Sequence, residues 1–359
     1  MSCRVLNLIT ELNIGGAERL LVEVLPRLDR AKVEPQVACL YGDAPLAAVL
    51  EKAGIRVHHL RSSRKFDPRP VWRLARLLEQ ERIEVLHTHL IQADVLGYWA
   101  GRLVRTPAIV STKHNVRYYD RHDRWLRPVA RWVERRVDAV VAVSNAVAAE
   151  YRHARRLEVI HNGVDCKKYA PLPVPGSGPV VCVANFTMQK GHRILLEAIA
   201  RLVPEFPGLQ LELAGGGPLQ DDLQARAERL GLAKRVVFLR TMQDVRPVLM
   251  RASIFVLPAL WEGLGLAALE AMAMGRPVIV TDVDGLREIV THDRDGLVVQ
   301  SGNVEALAEA IARLLRDREL AQRLADAARA HVVETFSLDR MARRLEDFYV
   351  SLAGRKSGA

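Results

Sequence analysis

The sequence is poor in cysteine and has no long apolar run, and each absence excludes a class of protein. Its four cysteines, Cys3, Cys39, Cys166 and Cys182, lie far apart and form no C-x-x-C pair. A disulfide framework and a structural zinc site are therefore not expected, and a reducing cytoplasm is the natural setting. No apolar run reaches the ~20 residues that a transmembrane helix needs. Residues 1–9 turn polar too early for a secretory signal and predict a first buried strand instead.

Acidic residues are scarce relative to basic ones in the first half of the chain. Residues 1–170 contain 29 Lys and Arg against 19 Asp and Glu, whereas residues 171–359 contain 23 of each. The whole net charge of +10 therefore belongs to the first half. This asymmetry predicts two domains with different partners, the first of which faces something anionic. A length of 359 residues also fits two globular domains.

Short apolar runs alternate with helical stretches along the whole chain. This pattern predicts an α/β protein with two doubly wound domains. Residues 139–143 are continuously apolar, as is typical of parallel strands covered on both faces. Residues 17–28 and 193–202 are two of the helices expected to connect such strands. The predicted strands are 4–9, 36–40, 57–60, 85–89, 108–112, 139–143, 158–160, 180–184, 210–214, 236–239, 254–257, 278–281 and 296–299.

A domain boundary is predicted at residues 171–179, which hold four prolines and two glycines. Such a segment suits neither a helix nor a central strand. We predict a first domain at 1–168, a linker at 169–179 and a second domain at 180–337. The amphipathic helical segment 338–354 is expected to pack back on the first domain.

The segment with the most chemistry is 257–278, which combines a strand end, a glycine-bearing turn, a helix and another strand. Ligands of open α/β sheets bind at this carboxyl end of the strands. Gly263 and Gly265 allow close approach of the backbone, and the N–H groups at the helix start suit hydroxyl or phosphate oxygens. Glu270 lies on an apolar face that we expect to be buried, where vicinal ribose hydroxyls would supply the donors that it needs. The alternative makes Glu262 and Glu270 solvated charges, which the apolar neighbours of Glu270 disfavour.

The pair Glu262 and Glu270 resembles the E-x7-E signature of the retaining glycosyltransferases of family 4, whose fold is called GT-B. Five further blocks resemble the family in its order: residues 13–18, 143–145, 160–165, 190–191 and 215–218. The resemblance implies two Rossmann-like domains that face a central cleft and work without a metal or another cofactor. It implies transfer from a nucleotide-sugar, with a UDP-sugar favoured, to an acceptor hydroxyl on a sugar, a membrane lipid or a lipid-linked glycan. Configuration would be retained by front-face attack.

The resemblance also assigns residues. Glu262, Lys190 and His114 are the catalytic candidates, with Glu262 on the sugar and Lys190 on the leaving diphosphate. The expected donor contacts are Gly15, Gly16, Asn185, Gly191, Gly263, Leu264, Gly265, Leu266 and Glu270. Asn185 departs from the family, which usually has an arginine there. An asparagine can hydrogen-bond phosphate but cannot offset its charge. Gly15 and Gly16 follow the first strand and suit a diphosphate, although a steric role in the strand–helix turn is the alternative.

Histidines occur at the ends of predicted first-domain strands. His87 and His89 would point the same way along a strand, which suggests a metal site, but no third ligand is evident nearby. We favour acceptor-side roles for them, with plain packing as the alternative. The sequence D-x-D at 282–284 mimics a metal motif of another glycosyltransferase fold, and we interpret it as a helix-start cap.

Residues 121–136 are rich in arginine and tryptophan. At 100° per residue the arginines form one stripe and the tryptophans lie on the adjoining apolar face, which suits a helix on an anionic membrane surface. The membrane-contact candidates are Arg124, Trp125, Arg131, Trp132 and Arg135. The alternative is a solvated helix whose tryptophans belong to the core. No nucleic-acid-binding motif accompanies the basic residues, so nucleic acid is not an expected partner.

Other functions remain compatible with the same fold. One is a different double-Rossmann enzyme, such as a nucleotide-sugar epimerase or a phosphorylase. Another is a non-catalytic nucleotide-sugar-binding module, which Asn185 favours and the intact Lys190, Glu262 and Glu270 disfavour. We expect a cytoplasmic location, peripheral on the inner face of the membrane.

Overall fold

The computed structural model describes residues 2–13, 15–42, 44–61, 69–116 and 127–354. The chain divides into two compact units. The N-terminal domain comprises Met1–Gly163 together with Leu338–Ala359, and the second domain is Val164–Ser337. The chain therefore passes from one domain to the other twice.

The N-terminal domain contains a parallel sheet of seven strands in the order β3-β2-β1-β4-β5-β6-β7. The strands are β1 (Cys3–Ile9), β2 (Val33–Cys39), β3 (Val57–His59), β4 (Val85–His89), β5 (Ala108–Lys113), β6 (Ala139–Ala142) and β7 (Leu157–Val159). Its described α-helices are α1 (Gly16–Val24), α2 (Ala47–Lys52), α3 (Arg69–Gln80), α4 (Ile91–Leu103), α5 (Arg127–Glu134), α6 (Asn145–Ala148) and α14 (Leu338–Ala353).

The second domain contains a parallel sheet of six strands in the order β10-β9-β8-β11-β12-β13, which is the dinucleotide-binding order. Its strands are β8 (Val180–Val183), β9 (Leu211–Ala214), β10 (Val236–Leu239), β11 (Ile254–Leu257), β12 (Val278–Thr281) and β13 (Leu297–Val299). Its described α-helices are α7 (His192–Leu202), α8 (Gln220–Arg229), α9 (Arg246–Arg251), α10 (Leu266–Ala273), α11 (Asp284–Arg287), α12 (Val304–Arg316) and α13 (Arg318–Thr335).

The two parallel sheets confirm the predicted fold class. Central strands such as β6 and β12 are buried along their whole length, because helices cover both faces of a parallel sheet. Each predicted strand overlaps an observed one, and the ends differ by a few residues. The predicted helix at 17–28 is shorter than expected, because α1 ends at Val24 and a 3₁₀ turn that contains Pro26 follows it.

Helix α14 belongs to the N-terminal domain by its packing. Phe348 and Tyr349 share one apolar core with Val5 and Ile9 of the central strand β1. Both aromatic side chains are almost fully buried. The last described helix therefore completes the core of the domain that contains the first strand.

The domain boundary lies at Gly163, whereas the sequence predicted a first domain as far as residue 168 and a linker at 169–179. The segment after Val164 is attached to the second domain by two arginines. Arg276 is fully buried and donates to the carbonyl oxygens of Leu172 and Pro173. The second, Arg329, donates to the carbonyls of Cys166 and Tyr169 at 2.9 Å and 3.0 Å. Proline content indicated an irregular backbone correctly, but these arginines make much of that backbone part of a domain.

Candidate active site

The turn between β11 and α10 forms the centre of the candidate site. Strand β11 ends at Leu257 and α10 begins at Leu266, so the turn lies at the carboxyl edge of the second sheet. Gly265 caps α10 with φ +90°, a left-handed conformation that side chains rarely adopt. The first N–H groups of α10 lack acceptors within the helix, so this end suits an anion or a hydroxyl oxygen.

Glu262 is the buried member of the carboxylate pair. It is only 7% exposed, and its Oε1 accepts a hydrogen bond from the Gly263 N–H at 2.9 Å. Its Oε2 forms an ion pair with the Lys190 ammonium. Glu270 is half-buried, whereas the sequence predicted that it would lie on a buried face. The apolar residues around Glu270 occupy the inner face of α10, whereas the turn encloses Glu262.

Lys190 reaches Glu262 because two loops pack tightly together. A 3₁₀ turn, Met188–Lys190, precedes α7 and ends at Gly191, whose φ is +65°. A Cβ atom at Gly191 would collide with the carbonyl oxygen of Pro258, just after β11. The Leu260 N–H also donates to the Gln189 carbonyl at 2.7 Å. The sequence predicted both charged residues as catalytic candidates but not their contact.

Glu270 has a partner that the sequence did not indicate. The Tyr169 hydroxyl donates to Glu270 Oε1 at 2.7 Å. The two residues are 101 positions apart, so no motif spacing connects them. The structure thus adds Tyr169 to the candidate site.

Asn185 lies just beyond β8, at the same edge of the sheet, and is exposed. Its neighbour Phe186 contacts the loop that follows β9, because the Phe186 N–H donates to the Gly216 carbonyl at 2.9 Å. The structure therefore places Asn185 and Lys190 in one loop, between β8 and α7. Leu264 is buried, and Leu266 is the half-buried first residue of α10.

The glycine loop of the N-terminal domain is partly covered by an acid. Gly15 caps α1, and a Cβ atom there would collide with the Glu18 carboxylate. Gly16 has no atom within 4 Å of the position where its Cβ would be. Burial is the main cause that raises the pKa of Glu18 above its usual value, and its own backbone N–H partly opposes the shift. Of the two predicted glycines, Gly16 is the more open.

The histidines form one chain at the ends of β4 and β5, in which His87 and His89 are buried and His114 is half-buried. His87 Nδ1 lies 2.6 Å from the Tyr349 hydroxyl, and its Nε2 bonds to Thr112 Oγ1 at 2.5 Å. His89 Nδ1 lies 3.3 Å from His114 Nε2. The structure therefore brings His89 and His114 together, whereas His87 has both nitrogens engaged inside the domain.

Burial keeps these histidines neutral. It lowers the pKa of His87 to about 3 and that of His114 to about 4, with smaller effects of neighbouring charges. The pKa of His89 is also well below its usual value, chiefly because of burial. In the part of the chain that the structure describes, no group of three or more His, Cys, Asp or Glu side chains could hold a metal ion.

A buried ammonium lies next to this histidine chain. Lys113 Nζ contacts Asp94 Oδ2 at 2.7 Å and Glu134 at 2.9 Å, and all three side chains are at most 6% exposed. Ser111 donates a further hydrogen bond to Asp94 at 2.7 Å. The position of Lys113 beside His114 was the only sequence signal for this network, which joins β5 to α4 and α5.

The D-x-D sequence at 282–284 does not form the expected cap. Helix α11 begins at Asp284, and its N-cap residue, Val283, makes no side-chain capping bond. Asp282 instead accepts from the Ser301 N–H at 2.7 Å. The acid therefore ties the end of β12 to the segment that follows β13.

The basic and aromatic residues form an exposed patch rather than a core. Arg124 and Trp125 lie outside the described residues. Trp132 on α5 is 37% exposed and stacks on Trp99 of α4, which is 50% exposed, with ring centroids 5.5 Å apart. Arg131 and Arg135 are exposed beside them. The alternative of a core tryptophan is wrong for Trp132. We call Trp99, Trp132, Arg131 and Arg135 the aromatic–basic patch.

A bilayer-spanning helix, which must be both long and apolar, is not found among the described helices.

Comparison with known proteins identifies the family. Residues 14–168 match the model for Glycosyltransferase Family 4, and residues 173–331 match the model for Glycosyl transferases group 1. A GDP-mannose-dependent alpha-(1-6)-phosphatidylinositol monomannoside mannosyltransferase of Mycobacterium tuberculosis is 31% identical over 306 residues, which cover 77% of this chain and 78% of that protein. The chain belongs to the glycosyltransferases. The family resemblance inferred from the motifs is confirmed to that extent.

Other relatives of this glycosyltransferase support the same conclusion. A UDP-Gal:alpha-D-GlcNAc-diphosphoundecaprenol alpha-1,3-galactosyltransferase of Escherichia coli is 26% identical over 307 residues, 79% of each chain. The crystal structure of Anabaena Alr3699/HepE in complex with UDP and glucose superimposes with a TM-score of 0.85 at 23% identity, over 97% of this chain and all of that one. With two Rossmann-like sheets, these likenesses establish the GT-B fold class for this glycosyltransferase.

Proposed function

We propose that this glycosyltransferase moves a sugar from a UDP-sugar to an acceptor hydroxyl, with retention of the anomeric configuration and without a metal ion or another cofactor. The observation that carries the proposal is the Lys190–Glu262 pair beside the N-terminus of α10. It places a cation, a carboxylate and the first backbone N–H groups of a helix at one edge of the sheet. A departing diphosphate needs such cationic and hydrogen-bonding groups.

The cationic and the anionic groups of the site have different roles in the proposed reaction. Lys190 and the α10 N-terminus stabilise the charge of the diphosphate as its bond to the sugar carbon breaks, and Asn185 adds a hydrogen bond. Glu262 holds sugar hydroxyls and stabilises positive charge on the ring. The acceptor oxygen attacks the sugar carbon from the face that the diphosphate leaves. It gives its proton to the departing diphosphate, so no protein base is needed. Glu270 accepts hydrogen bonds from the ribose hydroxyls.

The relatives support the donor class but differ in the base. The Escherichia coli relative is named for UDP-Gal and the Mycobacterium tuberculosis relative for GDP-mannose. The Anabaena structure contains UDP. We favour UDP, and a thermal-shift screen against UDP-, GDP- and ADP-sugars tests this choice. A ligand present at 100 times its Kd adds about 2.7 kcal/mol to the free energy of unfolding.

Product analysis tests the reaction itself. We expect an anomeric coupling constant of the product, measured by NMR, that matches the configuration of the donor sugar. Transfer should persist in EDTA. Inversion of configuration, or loss of activity in EDTA that manganese restores, would contradict the proposal. Donor turnover without any acceptor would instead indicate an epimerase, and absence of both transfer and slow donor hydrolysis would indicate a binding module.

We further propose that the acceptor is lipid-linked and that the N-terminal domain docks on the inner face of an anionic membrane. The names of the two relatives include a diphosphoundecaprenol and a phosphatidylinositol acceptor. The aromatic–basic patch supports docking, because tryptophan rings prefer the bilayer interface and arginines attract anionic headgroups. The surplus positive charge of residues 1–170 acts in the same direction.

Co-sedimentation with phosphatidylglycerol vesicles tests the membrane contact. At low salt we expect binding that the double variant Trp99→Ala, Trp132→Ala lowers at least fivefold. High salt should weaken it, since the headgroup attraction is screened. Trp72→Ala is the matched control, because Trp72 is 66% exposed but lies on α3, outside the patch. An equal loss in the control, or no binding by the unaltered protein, would refute docking through this patch.

A further inference from the structure

Tyr169 is buried in the second domain, and its only polar side-chain atom reaches a candidate donor-site carboxylate. The side chain is 1% exposed. Its ring shares an apolar cluster with Leu269 of α10 and Val332 of α13. The hydroxyl leaves this cluster to donate to Glu270 Oε1 at 2.7 Å. A ring held in this way gives the hydroxyl a fixed position.

The backbone of Tyr169 is attached to the same helix that carries Glu270. Arg329 donates through one guanidinium nitrogen to the Tyr169 carbonyl at 3.0 Å and to the Ala273 carbonyl at 2.6 Å. Ala273 is the last residue of α10. The Tyr169 N–H also donates to the Asp165 carbonyl at 2.9 Å. Tyr169 and α10 are therefore held in register at two points, the hydroxyl and the carbonyl.

A carboxylate that binds two neighbouring hydroxyls must keep its plane. The terminal torsion of a glutamate is broad, so the backbone alone does not determine that plane. Glu270 is half-buried, so its side chain is partly open to a ligand. A carboxylate has about four sites that can accept a hydrogen bond. A hydrogen bond at Oε1 occupies one of them and fixes the direction of the remaining sites. The Tyr169 hydroxyl supplies this bond from a buried position.

We infer that Tyr169 is a positioning residue for the nucleotide ribose, through the orientation that its hydroxyl gives to Glu270. The inference rests on the proposed ribose-binding role of Glu270. Tyr169 does not touch the donor. It determines how well the protein distinguishes a ribonucleotide from a 2′-deoxyribonucleotide, because only the first offers two vicinal hydroxyls.

Calorimetric titration with UDP and 2′-deoxy-UDP tests the inference on the full chain. We expect Tyr169→Phe, which removes one oxygen atom, to raise the Kd for UDP about 3–10-fold, the usual worth of one hydrogen bond. The Kd for 2′-deoxy-UDP should change less than twofold, and the melting temperature should stay close to that of the unaltered protein. Tyr98→Phe is the control, because Tyr98 is a buried tyrosine of the N-terminal domain.

The outcomes separate this inference from the proposed function. If Tyr169→Phe weakens the binding of UDP and of 2′-deoxy-UDP equally, or the binding of neither, the positioning role is wrong. Glu270→Gln serves as the reference and should also lower the preference for UDP over 2′-deoxy-UDP. If Glu270→Gln lowers it while Tyr169→Phe does not, only the inference about Tyr169 fails. If Glu270→Gln has no effect, or if UDP, GDP and ADP all fail to bind, the proposed donor site fails and the inference with it.

Discussion

Lys190 and Glu262 neutralise each other in the structure, although each is expected to serve a different part of the donor. The Glu262 side chain is 8% exposed and that of Lys190 is 20% exposed, so water screens their attraction poorly. In the proposed reaction, donor binding replaces this ion pair with contacts of similar strength. In that reaction the diphosphate would contact Lys190 in place of Glu262, and sugar hydroxyls would contact Glu262 in place of Lys190.

The pair predicts a particular pattern of stability in a mutant cycle. Lys190→Met should lower the free energy of unfolding by about 1–3 kcal/mol, because it leaves a buried carboxylate without its cation. Glu262→Gln keeps the shape and should cost less, and the double variant should recover most of the loss. All three variants should lose transfer by at least two orders of magnitude. Urea unfolding and a transfer assay measure both quantities. Additive stability losses would show that the pair is not coupled.

The sequence indicated candidate residues but not the contacts that they make. The family resemblance indicated Glu262, Lys190 and Glu270 as candidates, since E-x7-E and K-G are short motifs that can be read from the sequence alone. The contacts Lys190–Glu262 and Tyr169–Glu270 join residues 72 and 101 positions apart. Such contacts depend on how strands order themselves in the sheet, and no local pattern encodes that order. The expected burial of Glu270 was wrong because its apolar neighbours, and not Glu270 itself, occupy the inner face of α10.

At the scale of elements, the turn before α7 positions the site. Gly191 has a left-handed backbone and lies against the Pro258 carbonyl, so the Lys190 turn and the β11 end cannot separate without loss of packing. Sequence periodicity predicted α7 and β11 well, because both are apolar segments bounded by loops. The closeness of their loops follows from the pairing of β8 with β11.

A comparison of two glycines isolates this packing. Gly191→Ala and Gly231→Ala both place a side chain on a left-handed backbone, which costs about 1–2 kcal/mol. Gly231 has no atom within 4 Å of its Cβ position, whereas Gly191 meets Pro258. We expect Gly191→Ala to cost more stability and to lose most transfer activity, and Gly231→Ala to retain activity. Melting temperatures and a transfer assay compare them. Equal activity in the two variants would contradict the role of this contact.

At the scale of the whole molecule, buried neutral histidines link stability to pH. His87 has a pKa of about 3 and His192 one of about 4, both lowered mainly by burial, and the pKa of His89 is also well below its usual value. Each histidine binds its proton more tightly in the unfolded chain, near pH 6.5. The unfolded state therefore gains protons first as the pH falls, and the folded state loses stability.

This linkage predicts a steep loss of stability between pH 6.5 and pH 4. Each such histidine contributes a slope of up to about 1.4 kcal/mol per pH unit in that window. Melting temperatures at pH 7.5, 6.5 and 5.5 should fall progressively, and His87→Gln should make the fall shallower. His59→Gln is the control, because His59 is exposed. An unchanged slope in His87→Gln would show that His87 is not a neutral buried group.

The domain plan was predictable in outline but not at its boundary. Alternating apolar runs predicted two sheets, and amphipathicity marked α14 as a packed helix. The boundary prediction relied on proline and glycine, which report backbone shape and not attachment. Arg276 and Arg329 bind carbonyl oxygens of the segment after Gly163, and a carbonyl gives no signal in a sequence.

The return of α14 to the N-terminal domain affects the order of events on the ribosome. The core around β1 lacks Phe348 and Tyr349 until the chain beyond Ser337 has been synthesised. The second domain is continuous from Val164 to Ser337, so all of its strands and helices are synthesised before α14. Nascent chains usually complete their N-terminal domain first. Here the domain that is encoded second is able to finish folding first, and the N-terminal domain must wait, incomplete, for its last helix.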